Sequence, residues 1–166
     1  MFVFAFPGMG KTTLAQKYEE VVDLEMSDIK YDNSSVSHLS REARKSTKRP
    51  IKDKNYKETY IAKAFAFHEK GKRVLVALNF LFPMLRAFRV RGQVPFHIFI
   101  PHPSLRAEYR QRYRDRGNND RFLFEVMLIW YPTTIPLFLL AKIFPKWITV
   151  TKAGETLEDY WNIKST

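Results

Sequence analysis

The stretch that decides the fold is MFVFAFPGMGKTTLAQK, residues 1–17. Its first six residues form an unbroken apolar run, which is typical of a central parallel strand buried on both faces. A glycine-containing turn follows, and residues 12–20 have the pattern of a short helix. A strand that passes through a tight turn into a helix is the first unit of an α/β domain built around a parallel sheet.

The turn carries the strongest chemical signal in the chain. Binding of a phosphate needs backbone N–H groups that point inward at a helix N-terminus, and glycine permits the backbone conformation required, as at Gly8 and Gly10. A lysine directly after the second glycine can reach the β- and γ-phosphates, and the next hydroxyl can bind Mg²⁺. The usual spacing would place another glycine at Ala5, a departure that strand geometry should tolerate. The predicted nucleotide-binding residues are Pro7, Gly8, Met9, Gly10, Lys11, Thr12 and Thr13.

Strand and helix patterns alternate along the rest of the chain. Further strands are predicted over residues 21–25, 73–80, 94–100 and 147–151, and helices over 55–70, 81–90 and 104–116. A last amphipathic turn is predicted around 157–161. Residues 122–144 are predicted to form two buried apolar helices broken near Pro132. Glu125, Pro132 and Pro136 argue against a membrane span in this segment.

Composition limits the possible functions. The chain has 166 residues, a net charge of +11 and no cysteine, so a disulfide scaffold, a thiolate zinc site and a cysteine nucleophile are excluded. The four histidines lack metal-ligand spacing. One folding unit over 1–166 and a cytoplasmic location are expected. The charge requires a polyanionic partner, and by itself it does not choose between nucleic acid, an anionic membrane and a phosphorylated small molecule.

The sequence resembles the P-loop nucleoside and nucleotide kinases, of which adenylate kinase is the familiar member. The motifs that carry the resemblance are Pro-Gly-x-Gly-Lys at 7–11 and Arg-Tyr-x-x-Arg-Gly at 112–117, and the second is found in small bacteriophage nucleotide kinases. The resemblance implies a three-layer P-loop NTPase fold with a five-stranded parallel sheet in the order 2-3-1-4-5. It also implies a helical lid, here residues 104–121, and the use of ATP and Mg²⁺.

The arginines of the lid-like helix can be placed by helical geometry. At 100° per residue, Arg112 and Arg116 fall on the same side as Tyr109 and Tyr113, so they should point inward. In the kinases that the chain resembles, arginines of this region stabilise the transferring phosphoryl group. Arg112 and Arg116 are therefore predicted to be catalytic, together with Lys11 and, by the same resemblance, Asp23.

Acidic and amide side chains follow the second and third strands. The resemblance implies that Asp23, or alternatively Glu25, contacts the acceptor or the magnesium shell, so Thr12 and Asp23 are the predicted metal residues. Asn79 stands where many P-loop enzymes have a magnesium-orienting aspartate. It can hold a water molecule or a substrate hydroxyl and supplies no charge.

The polar segment 27–57 is predicted to bind the acceptor. It is rich in lysine and arginine, and a bidentate guanidinium fits a phosphate better than an ammonium does, so Arg41 and Arg44 are preferred. A merely solubilising surface is the alternative interpretation of the same charges.

The expected function is ATP-dependent phosphoryl transfer to a (deoxy)nucleoside monophosphate. Three alternatives stay open: a kinase for a polynucleotide 5′-hydroxyl or a small metabolite, a nucleotide-binding module without transfer activity, and a nucleic-acid binder. Positive charge is concentrated in 41–57, 86–91 and 106–121, while the first 38 residues are acidic overall. This separation favours a divided phosphate clamp over a continuous nucleic-acid track.

Overall fold

The computed structural model describes residues 1–40, 43–44, 47–92 and 94–161. Within them lie the strands β1 (Phe2–Ala5), β2 (Val21–Asp23), β3 (Arg73–Ala77), β4 (Phe96–Pro101) and β5 (Ile148–Thr151). The helices are α1 (Lys11–Lys17), α2 (Met26–Lys30), α3 (Tyr56–Glu69), α4 (Leu81–Arg91), α5 (Arg106–Asp115), α6 (Asp120–Ile143) and α7 (Leu157–Trp161).

The five strands form one parallel sheet in the order β2-β3-β1-β4-β5, which confirms the predicted α/β class and strand order. β1 occupies the centre, where it pairs with β3 on one side and β4 on the other. All four of its residues are fully buried. The unbroken apolar run at the start of the sequence is explained by this position, since a central parallel strand is covered on both faces.

Helices cover both faces of the sheet. Crossovers between parallel strands are right-handed as a rule. We therefore expect α1, which follows β1, on one face of the sheet and the helices of the other connections on the opposite face. The contacts agree with this, because α1 touches α7, α3 touches α4, and α6 packs on β4 and β5. Aromatic rings pack between the sheet and the helices α3, α4 and α6. Phe2 contacts Phe65 and Phe88, and Phe6 contacts Trp130.

The segment between β2 and β3 extends away from the sheet and returns to it. Its two ends are joined by backbone hydrogen bonds, and we call this junction the closed base. An antiparallel bridge joins Tyr31 to Ile51. The two hydrogen bonds of this bridge run from the Asp32 amide to the Pro50 carbonyl, at 3.0 Å, and from the Lys52 amide to the Lys30 carbonyl, at 2.9 Å. The described residues in between include a 3₁₀ turn over Ser34–Val36.

The prediction of two buried helices over 122–144 is wrong. The segment is part of one continuous helix, α6, with Pro132 and Pro136 inside it. Both prolines lie on an exposed side of the helix, where water can satisfy the carbonyl groups that they leave without an N–H partner. One side of α6 is buried against the sheet, and much of the remainder is apolar and exposed.

By length and composition, α6 is the one helix in the described part of the chain that could cross a membrane. In the folded domain, 28% of its most apolar window is buried. Such a match by itself is weak evidence for a span.

Trp130 lies at the centre of the buried side of α6. Its indole Nε1 donates to the Pro103 carbonyl at 2.9 Å, and its ring contacts Phe6 and Tyr109.

Substitution of Trp130 by phenylalanine should lower the free energy of unfolding by about 2 kcal/mol, because it leaves a small cavity and removes the hydrogen bond to the Pro103 carbonyl. Urea denaturation followed by circular dichroism measures this. Trp147→Phe is the matched control, since Trp147 is 52% exposed, and its effect should stay within about 0.5 kcal/mol. Equal losses in the two variants would contradict the role given to Trp130.

Candidate functional site

The glycine loop, residues 7–10, joins the carboxyl end of β1 to α1. Gly8 and Gly10 have φ angles of 84° and 85°, a region that other residues rarely adopt. Met9 between them is fully buried, and its carbonyl accepts a hydrogen bond of 3.0 Å from the Leu157 amide. The loop is thereby held against α7, and the two glycines set the path of its backbone.

The side chains that follow the loop lie near the carboxyl ends of the strands. The Lys11 ammonium donates to the Ala5 carbonyl at 3.3 Å, so it folds back over the loop toward the end of β1. The Thr12 hydroxyl donates to Asp23 Oδ2 at 2.8 Å. The structure thus brings together three predicted residues, a lysine, a hydroxyl and a carboxylate, that come from α1 and the end of β2.

Helix α5 presses directly on the glycine loop. The Tyr113 hydroxyl donates to the Pro7 carbonyl at 2.8 Å, and a Cβ atom added to Gly8 would lie 2.8 Å from Tyr113 Cε1. Tyr109 and Tyr113 are almost completely buried. Burial raises the pKa of Tyr113, so its hydroxyl remains a donor at neutral pH. An outward swing of α5 would have to expose both rings.

A second tyrosine fixes the neighbouring strand ends. The Tyr60 hydroxyl donates to the Leu24 carbonyl at 3.0 Å and accepts a hydrogen bond of 3.4 Å from the Ala77 amide. It therefore ties the residue after Asp23 to the last residue of β3. Burial raises the pKa of Tyr60, which keeps the phenol protonated. The sequence analysis places Tyr60 only within the predicted helix over 55–70.

An open cleft of about 1440 Å³ begins at the glycine loop and runs between α6 and the ends of β2 and β3. The predicted residues along it are Pro7, Gly8, Gly10, Lys11, Thr12, Thr13, Asp23, Asn79 and Arg116, and the alternative acid Glu25 also lines it. Asn79 lies in a 3₁₀ turn after β3 and not at the end of the strand, which stops at Ala77.

The two predicted catalytic arginines lie in different surroundings. Arg116 caps the end of α5 and lines the cleft. Arg112 does not lie in the cleft wall, contrary to the inward position expected for it. It forms an ion pair of 2.6 Å with Glu108, packs over the Tyr109 ring and donates to the Glu155 carbonyl at 3.5 Å. A glutamate four residues earlier on the same helix draws its guanidinium aside.

Of the two predicted acceptor arginines, the structure describes only Arg44. Arg41 lies outside the described residues. Arg44 is not part of the cleft wall, and its Nε donates to the Leu39 carbonyl at 3.0 Å. Arg49 lines the cleft instead, where it stacks on Tyr31 with 4.5 Å between guanidinium and ring centroid.

Arg49 is also held by Asn33, whose Oδ1 accepts from Nη1 at 2.7 Å. Sequence reasoning missed Arg49 among the many cations of the segment. Its position directly before Pro50, where the segment returns toward the sheet, is the signal that could have identified it.

The far wall of the cleft is apolar. It is formed by one side of α6, with Ile129, Pro132, Leu137 and Leu140, and by Phe82 of α4. This wall was also missed, because the helix was expected to be wholly buried. A planar or apolar group could pack there, while an anionic group would lie nearer the loop and Arg49.

The described residues contain no cluster of three His, Cys, Asp or Glu side chains suited to a metal ion. A Mg²⁺ ion fits the site in another way, since this ion is commonly bound by one or two protein groups and completed by phosphate oxygens and water. Thr12 and Asp23 are the groups present for that purpose.

No protein-family model and no curated protein matches this chain.

The chemistry of the cleft therefore has to be argued from its own residues. It has a glycine loop beside a lysine, a hydroxyl bonded to a carboxylate, an apolar surface opposite and three arginines in the wall, Arg49, Arg116 and Arg121. This arrangement can hold a polyphosphate at one end and a second, partly apolar molecule at the other.

Proposed function

We propose that the protein is a P-loop kinase that transfers the γ-phosphoryl group of ATP to a (deoxy)nucleoside monophosphate. One observation carries the proposal: Gly8 and Gly10, both with positive φ, join β1 to a helix whose first residues are Lys11 and Thr12, and the Thr12 hydroxyl bonds to Asp23. Backbone amides of such a loop surround the donor phosphates, and the lysine reaches the β- and γ-phosphates.

The donor end of the site acts by charge and position. Lys11 offsets the negative charge of the donor phosphates, and Thr12 would hold Mg²⁺ directly. Asp23 orients the Thr12 hydroxyl and would accept a hydrogen bond from a metal-bound water. Mg²⁺ held by these residues would supply positive charge to offset the negative charge that develops on the phosphates.

The acceptor end uses the opposite part of the cleft. Arg49 would bind the phosphate of the monophosphate, and the apolar wall of α6 would receive its base. An oxygen of that phosphate attacks the γ-phosphorus as the bond to the β,γ-bridging oxygen breaks, and ADP leaves. The attacking oxygen is already ionised at neutral pH, so no general base is required. Arg116 would stabilise charge on the transferring group.

The test is ADP formation by the purified chain with ATP and Mg²⁺ over a panel of nucleoside and deoxynucleoside monophosphates and 5′-hydroxyl oligonucleotides. We expect turnover that depends on a monophosphate and yields the diphosphate. Turnover with oligonucleotides alone would replace the proposed acceptor. ATP binding without ADP formation from any acceptor would favour a nucleotide-binding module.

Replacement of Asp23 by asparagine should raise the Mg²⁺ concentration needed for half-maximal turnover by about 10- to 100-fold, as is typical when a group next to a metal ligand is removed. A magnesium titration of ADP formation measures the change. Glu25→Gln is the matched control, because Glu25 lines the same cleft two residues later. A larger effect of Glu25→Gln would transfer the role to that residue.

A further inference from the structure

Helix α6 has three sides with different surroundings. The first is buried in the core, with Leu123, Val126 and Trp130 among its members. The second lines the cleft. The third faces solvent and is also apolar, which is the reverse of the usual surface helix, whose outer side is polar. We call this third side the apolar stripe, and it consists of Phe124, Leu128, Tyr131, Ile135 and Leu139, which are 43–68% exposed.

Helical geometry shows that the stripe is continuous. At 100° per residue its five members fall within about 80° of one another, on the side of the helix away from Trp130. They extend over four turns, and Ile143, Phe144 and Trp147 add exposed apolar surface just beyond. Contiguous apolar surface of this extent on a folded domain marks a binding surface.

Positive charge surrounds the stripe. Arg106, Arg110 and Arg114 of α5 border a shallow depression together with Tyr131, and the Arg106 guanidinium lies 5.5 Å from the Tyr131 ring centroid. Lys142 and Lys146 follow at the other end of the helix. Residues 81–147 contain 11 lysines and arginines but only 4 aspartates and glutamates, a net +7 of the chain's +11.

From this combination we propose that the apolar stripe binds the surface of a bilayer that contains anionic phospholipids. Apolar side chains enter the interface while neighbouring arginines and lysines meet the headgroups, as in other helices that lie on membranes. Tyr131 and Trp147 are residue types that favour this interface. The charge argues against a second copy of the chain, because a symmetric contact would bring the same arginines together.

The helix lies on the bilayer and does not cross it. Crossing would require the side of α6 that contains Val126 and Trp130 to leave the core and the sheet to lose its cover. In the surface mode the domain stays intact, and the cleft opens next to the membrane, since Ile129 and Leu140 line the cleft and are also partly exposed.

The test is co-sedimentation of the full chain with vesicles of phosphatidylcholine alone and of phosphatidylcholine mixed with phosphatidylglycerol. We expect binding to the mixed vesicles that weakens as salt is added, and much weaker binding to the neutral ones. A double variant, Leu128→Glu with Ile135→Glu, should reduce the partition coefficient by about tenfold or more. Absence of wild-type binding to the mixed vesicles would overturn the proposal.

Two further variants separate the stripe from general effects. Val90→Glu introduces a single glutamate at an apolar residue of α4 that is 85% exposed and lies outside the stripe, and it should bind as the wild type does. Arg110→Glu with Arg114→Glu should weaken binding to mixed vesicles by about tenfold or more.

Circular dichroism checks that each variant is folded. Undiminished binding of the Leu128/Ile135 variant would exclude the stripe. Concentration-dependent dimers that this variant abolishes, without vesicle binding, would assign the surface to a second copy instead. Binding to an acidic protein in place of vesicles would likewise overturn the proposal. None of these measurements depends on phosphoryl transfer.

Discussion

Replacement of Lys11 by alanine should lower kcat/KM for ADP formation by about 1000-fold and weaken ATP binding. Lys11 lines the cleft, and its ammonium folds back over the glycine loop to donate to the Ala5 carbonyl. Loss of a positioned charge that acts on the transferring phosphates removes transition-state stabilisation that water does not replace. A coupled ADP assay measures turnover, and titration with a fluorescent ATP analogue measures binding.

The control is Lys17→Ala on the same helix. Lys17 forms an exposed ion pair with Glu158, so its removal should leave turnover within about twofold, as for surface pairs in general. Retention of most activity by Lys11→Ala would contradict the proposed site. If the wild type forms no ADP and oligonucleotide binding with strong salt dependence survives Lys11→Ala, the nucleic-acid binder gains support.

Replacement of Gly8 by alanine should lower the free energy of unfolding by about 3 kcal/mol, because two costs combine. The φ angle of 84° disfavours a side chain, and the new methyl group would lie 2.8 Å from Tyr113 Cε1. Tyr113 cannot move away cheaply, since it is buried and its hydroxyl is bonded to Pro7. Urea denaturation measures the change, and ADP formation should fall with it.

Gly117→Ala separates the two costs. Gly117 has a φ of 74°, but a Cβ atom there would meet no heavy atom within 4 Å. This variant should lose about 1 kcal/mol from backbone strain alone. Equal losses for Gly8→Ala and Gly117→Ala would show that the contact between α5 and the glycine loop contributes nothing to stability.

The sheet and the glycine loop were predictable because both are encoded locally. The apolar run before Gly8 marks a central strand, and the alternation of strands and helices limits the topology. Thr12 was expected near the metal from the loop motif and Asp23 from the family resemblance, and the structure places the two in hydrogen-bond contact. These features depend on spacing within a few residues and on general rules of connection.

The rest depended on tertiary contacts that spacing does not encode. Helical geometry put Arg112 and Arg116 on one side, but the ion pair with Glu108 holds Arg112 away from the cleft. Arg49 was hidden among similar cations, and its position follows from Tyr31 and Asn33. Proline in the sequence suggested a break at Pro132, yet an exposed side of α6 tolerates it.

The closed base of the segment between β2 and β3 has a consequence for variation among related chains. The two backbone hydrogen bonds of the Tyr31–Ile51 bridge join the ends of this segment. Insertions in such a loop are inexpensive, since a doubling of its length costs about 0.6 kcal/mol. This part of the chain can therefore diverge in length and sequence, while the sheet and the glycine loop stay the same.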